Sequence, residues 1–201
     1  MKHENSEKLN ESPLTKDILE VIRLRRSVFP RDYTDQEIPR ETLVELLEAA
    51  HAAPTHKRTQ PWSFVVFRDK GKERLADALV AMYKSTTPPE RYLVKKEEDL
   101  RQKVLRSAAV VMISVRYSGA LPPWEEVAAT AAAVQNLWLA ASAQGIGAYW
   151  SSPGLISAAP QHFDLPANEE CLGFFYMGHH DLPDQSPLNR VPLVERVRWE
   201  E

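Results

Sequence analysis

VAATAAAVQNLWLAASA, residues Val127–Ala143, carries no charge, is dense in alanine, and places Leu137, Trp138 and Leu139 on adjacent faces of a helix. A helix that is apolar on every side must be buried nearly all round. Extended to Glu125–Gln144, this stretch is expected to be the central pillar of the fold. The paired prolines in Leu121–Trp124 break the chain just before it.

Outward from that pillar, strands and helices alternate irregularly. Trp62–Phe67 and Ala109–Val115 are aromatic and β-branched runs without turn residues, which suits buried strands. Ile146–Trp150 and Cys171–Met177 read as two further short strands. Two charged amphipathic helices are expected over about Lys72–Lys84 and Glu90–Ser107. A helix from Pro39 presents Leu43, Leu46, Leu47 and Ala50 as one stripe before Pro54 stops it. Another runs from a Thr15 cap to about Arg25, with Ile18, Leu19 and Ile22 at helical spacing. The expected fold class is α+β, a mixed sheet flanked by helices around a buried central helix, closed by a proline-bearing extended C-terminal tail.

With 201 residues, 43% of them hydrophobic, the chain can bury one sizeable core. Segment 1–14 is polar and expected to be disordered, leaving residues 15–201 as a single domain. The balance of 25 basic against 28 acidic side chains gives a net charge of −3, which argues against nucleic acid as a main partner. The uncharged run Val127–Ala143 is interrupted by Thr130, Gln135, Asn136 and Ser142, so no stretch reaches the roughly 18 uncharged apolar residues of a membrane helix, and neither membrane insertion nor secretion is indicated. Cys171 is the one cysteine, which excludes an intramolecular disulfide and a cysteine cage and suits a cytoplasmic setting.

The chemistry is narrowed first by what is missing. There is no G-x-G-x-x-G turn, no Walker loop and no G-x-S-x-G elbow. His51 and His56 are separated by Pro54 and lack a third ligand, so no metal is expected. His179 and His180 sit in a polar turn and receive no role. Cys171 lies in an apolar strand, where thiols are inert. Two segments remain. Arg25-Arg26-Ser27 offers two guanidiniums and a hydroxyl that can grip a terminal phosphate, although cations at a helix C-terminus also complement its dipole. Ala53–Trp62 displays a basic loop mounted between a helix and a buried strand, which suits a cofactor-binding loop or plain topology.

These blocks resemble the nitroreductase family of flavoproteins, in order and over about Ile22–Arg198. Arg25-Arg26-Ser27 resembles its opening Arg-x-Ser element. Glu48-Ala49-Ala50 through Gln60-Pro61-Trp62-Ser63-Phe64 resembles its helix-loop-strand signature. Gln135-Asn136-Leu137 with Gln144-Gly145-Ile146-Gly147 resembles its central helix and turn, and Asn189-Arg190-Val191-Pro192-Leu193 its closing element. The His56-Lys57 form of the loop is closest to the small, minimal members.

The resemblance implies the nitroreductase fold and a homodimer with two tightly but non-covalently bound FMN molecules at the subunit interface, each contacted by both chains. By the same resemblance Arg25, Arg26 and Ser27 hold the phosphate and ribityl chain, with Arg190 on the phosphate. His56 and Lys57 meet the cofactor, and the backbone of Trp150-Ser151-Ser152 lies along the isoalloxazine edge. Chemistry occurs at the flavin, with no catalytic side chain. Electrons pass in ping-pong fashion from NAD(P)H to a small aromatic acceptor such as a nitroaromatic or quinone. Two positions depart from the family pattern, Phe29 and Arg58, where many members carry a cation and an asparagine. Reduced flavin is stabilised by a nearby positive charge, for which Lys57 and Arg58 are the candidates. The alternatives on the same scaffold are a dehalogenating, dehydrogenating or flavin-cleaving enzyme and a non-catalytic flavin sensor. An α+β binding module without cofactor is a further one.

Overall fold

In the computed structural model, residues 18–183 and 190–201 are described. The Thr15 cap, segment 1–14 and Asn189 lie outside the described residues.

Four strands form one sheet in the order β1 (Trp62–Phe67), β2 (Ala109–Arg116), β4 (Glu169–His179), β3 (Ile146–Ser151). Every pairing between them is antiparallel. The mixed character expected of the sheet is confined to one parallel bridge, Ser27 to Ala148 at the β3 edge. β2 is central, and helices cover both of its faces. Val111 and Ile113 point into a core built with α2 (Arg40–His51) and α5 (Pro123–Ala143). Val110 and Met112 point into a second core with α3 (Lys70–Thr86) and α4 (Val94–Leu105). Burial on both faces explains why β2 reads as an unbroken apolar run rather than an alternation.

The strands and helices fall where the pattern puts them, with three differences. The α4 region begins later than expected, at Val94, because Pro88 and Pro89 hold Pro89–Arg91 in a separate 3-10 turn. Tyr92 there stacks on Tyr83 at 5.3 Å between ring centroids, and the Leu93 amide donates to the Tyr83 hydroxyl. Between β3 and β4 the chain adds a 3-10 turn, Gly154–Ala158, and the short α6 (Ala159–Phe163), which the sequence pattern did not signal.

The third difference concerns α5, expected to be buried nearly all round. Its face with Ala129, Ala133, Val134, Leu137 and Ala141 is buried, but Trp124, Ala128, Gln135 and Ala143 are exposed or half-exposed. Among the described residues, one stripe of α5 therefore lacks full cover. The helix is tied in by polar contacts: Asn136 donates to the Ala49 carbonyl at 3.2 Å, and the buried Glu126 carboxylate accepts the Ser118 amide. The tail from Arg190 to Glu201 is extended and exposed apart from a turn at Leu193–Glu195. Among the described residues, no helix is long and apolar enough to cross a membrane.

Candidate active site

At the edge of the sheet, β3 receives two segments. The short α1 (Ile18–Leu24) ends in Arg25-Arg26-Ser27, and the chain then lies along β3, with the Val28 amide donating to the Ala148 carbonyl at 3.0 Å. The approach is close enough to require glycine. A Cβ on Gly147 would stand 2.8 Å from Val28 Cβ and 2.6 Å from His180 Cδ2. The Tyr33 hydroxyl, 2.8 Å from the Val28 carbonyl and 3.0 Å from that of Tyr176, pins the same segment to β4.

This fixes the basic cluster in place. The Arg25 guanidinium lies 4.3 Å over the Trp138 ring of α5, and its buried Nη1 has no hydrogen-bond partner. Burial, and then the neighbouring charges of Arg26 and Arg190, hold its pKa below the ordinary value. Arg25 therefore feels the positive charge of Arg26 and Arg190 while one of its own donors is aimed at nothing. Such an arrangement is unfavourable unless an anion joins it. Arg26 donates to the Arg23 and Arg25 carbonyls, which orients it, and the Ser27 side of the turn is exposed.

The end of β3 is fixed by a second glycine. Between Ile113 and Ser114 the β2–β4 register slips, leaving Leu172 as the extra residue on β4. The Leu172 carbonyl accepts from Trp150 Nε1 at 3.2 Å. Gly173, at φ +127°, allows the Ser151 carbonyl to approach to 2.3 Å from where a Cβ would lie. Trp150 and Ser151 are half-buried and Ser152 is exposed, so an ordered backbone edge is presented next to the basic cluster.

The loop with His56 and Lys57 is strained. Lys57, Arg58 and Gln60 have φ of 50°, 57° and 45°, a conformation that favours glycine, and strain of this kind collects at functional sites. Thr55 holds the loop, its hydroxyl 3.1 Å from that of Thr59 and accepting the Gln60 amide. His56 Nδ1 is 2.7 Å from Glu125 Oε2 in the first turn of α5. His51 accepts from Trp62 Nε1 at 3.1 Å, a structural bond between α2 and β1.

Arg25, Arg26, Ser27 and Trp150-Ser151-Ser152 thus lie along the β3 edge, with the charge of Arg190 felt at Arg25, whereas His56 and Lys57 do not join them. Their anchors on α5, Trp138 and Glu125, are almost four helical turns apart, about 20 Å. Sequence reasoning missed Trp138, Glu125, Gly147 and Gly173. A glycine inside a strand does signal close backbone approach, so the last two were accessible. Nothing local marks Glu125 as the partner of His56.

Comparison with known proteins agrees with this architecture. A Bacillus subtilis protein provisionally named an NAD(P)H nitroreductase, YfhC, is 27% identical over 197 residues, 95% of this chain and 96% of its own. The crystal structure of a nitroreductase-like family protein from Bacillus cereus superposes with a TM-score of 0.82 at 29% identity, covering 93% of this chain and 97% of that one. A provisionally named nitroreductase from Desulfovibrio desulfuricans, solved in complex with FMN, superposes with a TM-score of 0.70 at 26% identity, covering 93% and 98%. The Nitroreductase family model matches residues 22–179, most of the chain, and the protein belongs to that family.

Proposed function

We propose that this protein is an FMN-dependent oxidoreductase that passes electrons from NAD(P)H to nitroaromatic, quinone or related acceptors by a ping-pong mechanism. The observation that carries the reading is the buried, unpartnered Nη1 of Arg25, whose guanidinium lies over Trp138 and feels the charges of Arg26 and Arg190. A terminal phosphate supplies the acceptor oxygen that the buried Arg25 Nη1 lacks. A relative solved with FMN and another named as an NAD(P)H nitroreductase support the choice of cofactor and donor.

FMN, when bound, supplies a carrier that is reduced by the nicotinamide and then reoxidised by the acceptor. The chain's own residues bind and orient. Arg25, held on Trp138, Arg26, Ser27 and Arg190 take the phosphate end. The backbone at Trp150-Ser151-Ser152, fixed by Gly173 and the Trp150–Leu172 bond, provides a polar edge for the ring system. His56, Lys57 and Arg58 reach a cofactor from the other end of α5, with Lys57 or Arg58 supplying positive charge in place of Phe29. No side chain is assigned a proton transfer.

The separation of the two residue sets along α5 favours a homodimer in which each flavin meets one set from each chain. Exposed apolar groups favour it too: Trp124 at 69% and, in the tail, Leu193 at 74% and Trp199 at 80%. A cytoplasmic setting fits the single buried thiol.

The test is the visible spectrum of the purified protein before and after each reduced nicotinamide under anaerobic conditions. A flavin band that bleaches is expected, and Arg25→Ala with Arg190→Ala should lose the bound flavin. A protein that stays colourless after addition of FMN, or a double variant that retains it, overturns the reading.

A further inference from the structure

α3 and α4 form a helical hairpin, and the segment that joins them, residues 87–93, is fastened rather than loose. Pro88 and Pro89 shape the turn Pro89–Arg91. Tyr92 then stacks on the buried Tyr83, and its hydroxyl donates to the Glu97 carboxylate, which Lys84 also holds at 3.1 Å. A segment fixed in this way keeps the next two side chains outside. Leu93 and Val94 are 61% and 74% exposed.

Leu93 is a poor choice for the fold alone. It stands at the N-cap of α4, where serine, threonine, aspartate or asparagine satisfies a free amide, and its side chain makes no such bond. The chain thus forgoes a cap and leaves two adjacent aliphatic groups in water. Around them it is basic. Arg91, Lys95 and Lys96 are exposed, and among the described residues Arg91 and Lys95 have no ion-pair partner. Lys96 lies 5.1 Å over the Tyr83 ring. Within residues 88–97, Glu90 is the acidic group not engaged as Glu97 is, and Glu98, one position further on, accepts from Gln102 at 2.8 Å.

We propose that this tip docks on an anionic phospholipid surface, with Leu93 and Val94 entering the headgroup layer and Arg91, Lys95 and Lys96 on the lipid phosphates. Lysine is depleted in protein–protein interfaces, whereas an apolar pair flanked by lysine and arginine is what an anionic bilayer attracts. Because the whole chain carries a net charge of −3, the basic tip decides which end approaches such a surface. The contact is peripheral and needs no membrane-spanning helix. It shares no residue with the Arg25–Ser27 edge or the His56 loop, so it goes beyond the proposed function and does not rest on it.

Co-sedimentation of the full-length protein with vesicles tests it, using phosphatidylcholine alone and phosphatidylcholine mixed with phosphatidylglycerol. Binding to the mixed vesicles should exceed binding to the neutral ones by on the order of a hundredfold, about fivefold for each of the three cations. The difference should shrink as salt rises from about 0.05 to about 0.5 M. Arg91→Gln with Lys95→Gln should remove most of that preference. Leu93→Ser with Val94→Ser should weaken binding about tenfold. Since serine caps a helix better than leucine, the urea midpoint of that variant should be unchanged or higher, which excludes unfolding as the cause. Arg25→Ala should bind the vesicles as the wild type does, so that failure here is distinct from failure of the flavin reading. Equal binding to both vesicle types, binding to neither, or a serine variant that binds undiminished overturns the proposal. So does self-association without lipid that the serine variant abolishes in sedimentation velocity, because a second copy then covers the tip.

Discussion

Arg25→Met separates a binding group from a structural one by the sign of its effect. In the wild-type fold the buried Nη1 of Arg25 lacks a partner, a deficit of about 1–3 kcal/mol. The guanidinium recovers about 0.5–2 kcal/mol by lying over Trp138. Repulsion from Arg26 and Arg190 adds to the deficit. Methionine keeps an apolar stem against Trp138 and removes both penalties. Without ligand, the variant should be more stable by on the order of 1 kcal/mol, raising Tm by about 2–4 °C in a chain of this size. With FMN the sign reverses, because one or more charge-assisted hydrogen bonds to phosphate disappear and affinity should fall about ten- to a hundredfold. Urea unfolding with and without added FMN reads the first effect, and flavin fluorescence titration the second. A variant that is less stable without ligand, or that binds FMN as the wild type does, would refute the assignment and leave Arg25 as a helix-terminal structural cation.

Gly147→Ala places a methyl against Val28 and His180 and should cost about 1–3 kcal/mol, lowering Tm by several degrees and loosening flavin retention because the Arg25–Ser27 turn is displaced; unchanged Tm on thermal unfolding would contradict the close approach. Burial pushes the Cys171 thiol up to about 11, so it stays protonated while the unfolded thiol ionises near its ordinary value. The stability it protects is therefore complete below about pH 9 and lost as pH rises toward about 11, up to roughly 2–3 kcal/mol, and Cys171→Ala should flatten that limb of a urea-midpoint against pH curve. Glu125→Gln should change global stability by less than about 1 kcal/mol, the pair with His56 being partly exposed. It should still raise amide exchange in Thr55–Gln60, whose strained backbone depends on its anchors; unchanged exchange would mean that Thr55 alone holds the loop.

The periodic parts of the fold were legible because burial leaves a pattern. Trp62–Phe67 coincides with β1 to the residue, since a strand covered on one side and paired on the other has few alternatives. The segment Gly154–Phe163 was not legible, because single turns satisfy their backbone locally and need no apolar period. The triplet Arg25-Arg26-Ser27 could be named from sequence, yet its arrangement could not. Arg190 comes from the far end of the chain, and Trp138 reads as one more core aromatic. The error about α5 has a clear origin too: alanine and tryptophan without charge imply cover, but not that the cover belongs to the same chain.

That last point connects the physical irregularities. A chain that leaves one stripe of its most apolar helix open, a guanidinium donor orphaned, and three residues of one loop in left-handed conformations carries several separate penalties. Each would be selected against if it served only the fold. They are not scattered, for α5 touches all three: Trp138 supports the orphaned Arg25, Glu125 holds the strained loop, and the open stripe runs between them. One second surface laid along α5 would relieve the exposed stripe while bringing another chain's loop toward this chain's arginines. Cofactor retention and assembly then become linked, each increasing the affinity of the other by the same factor.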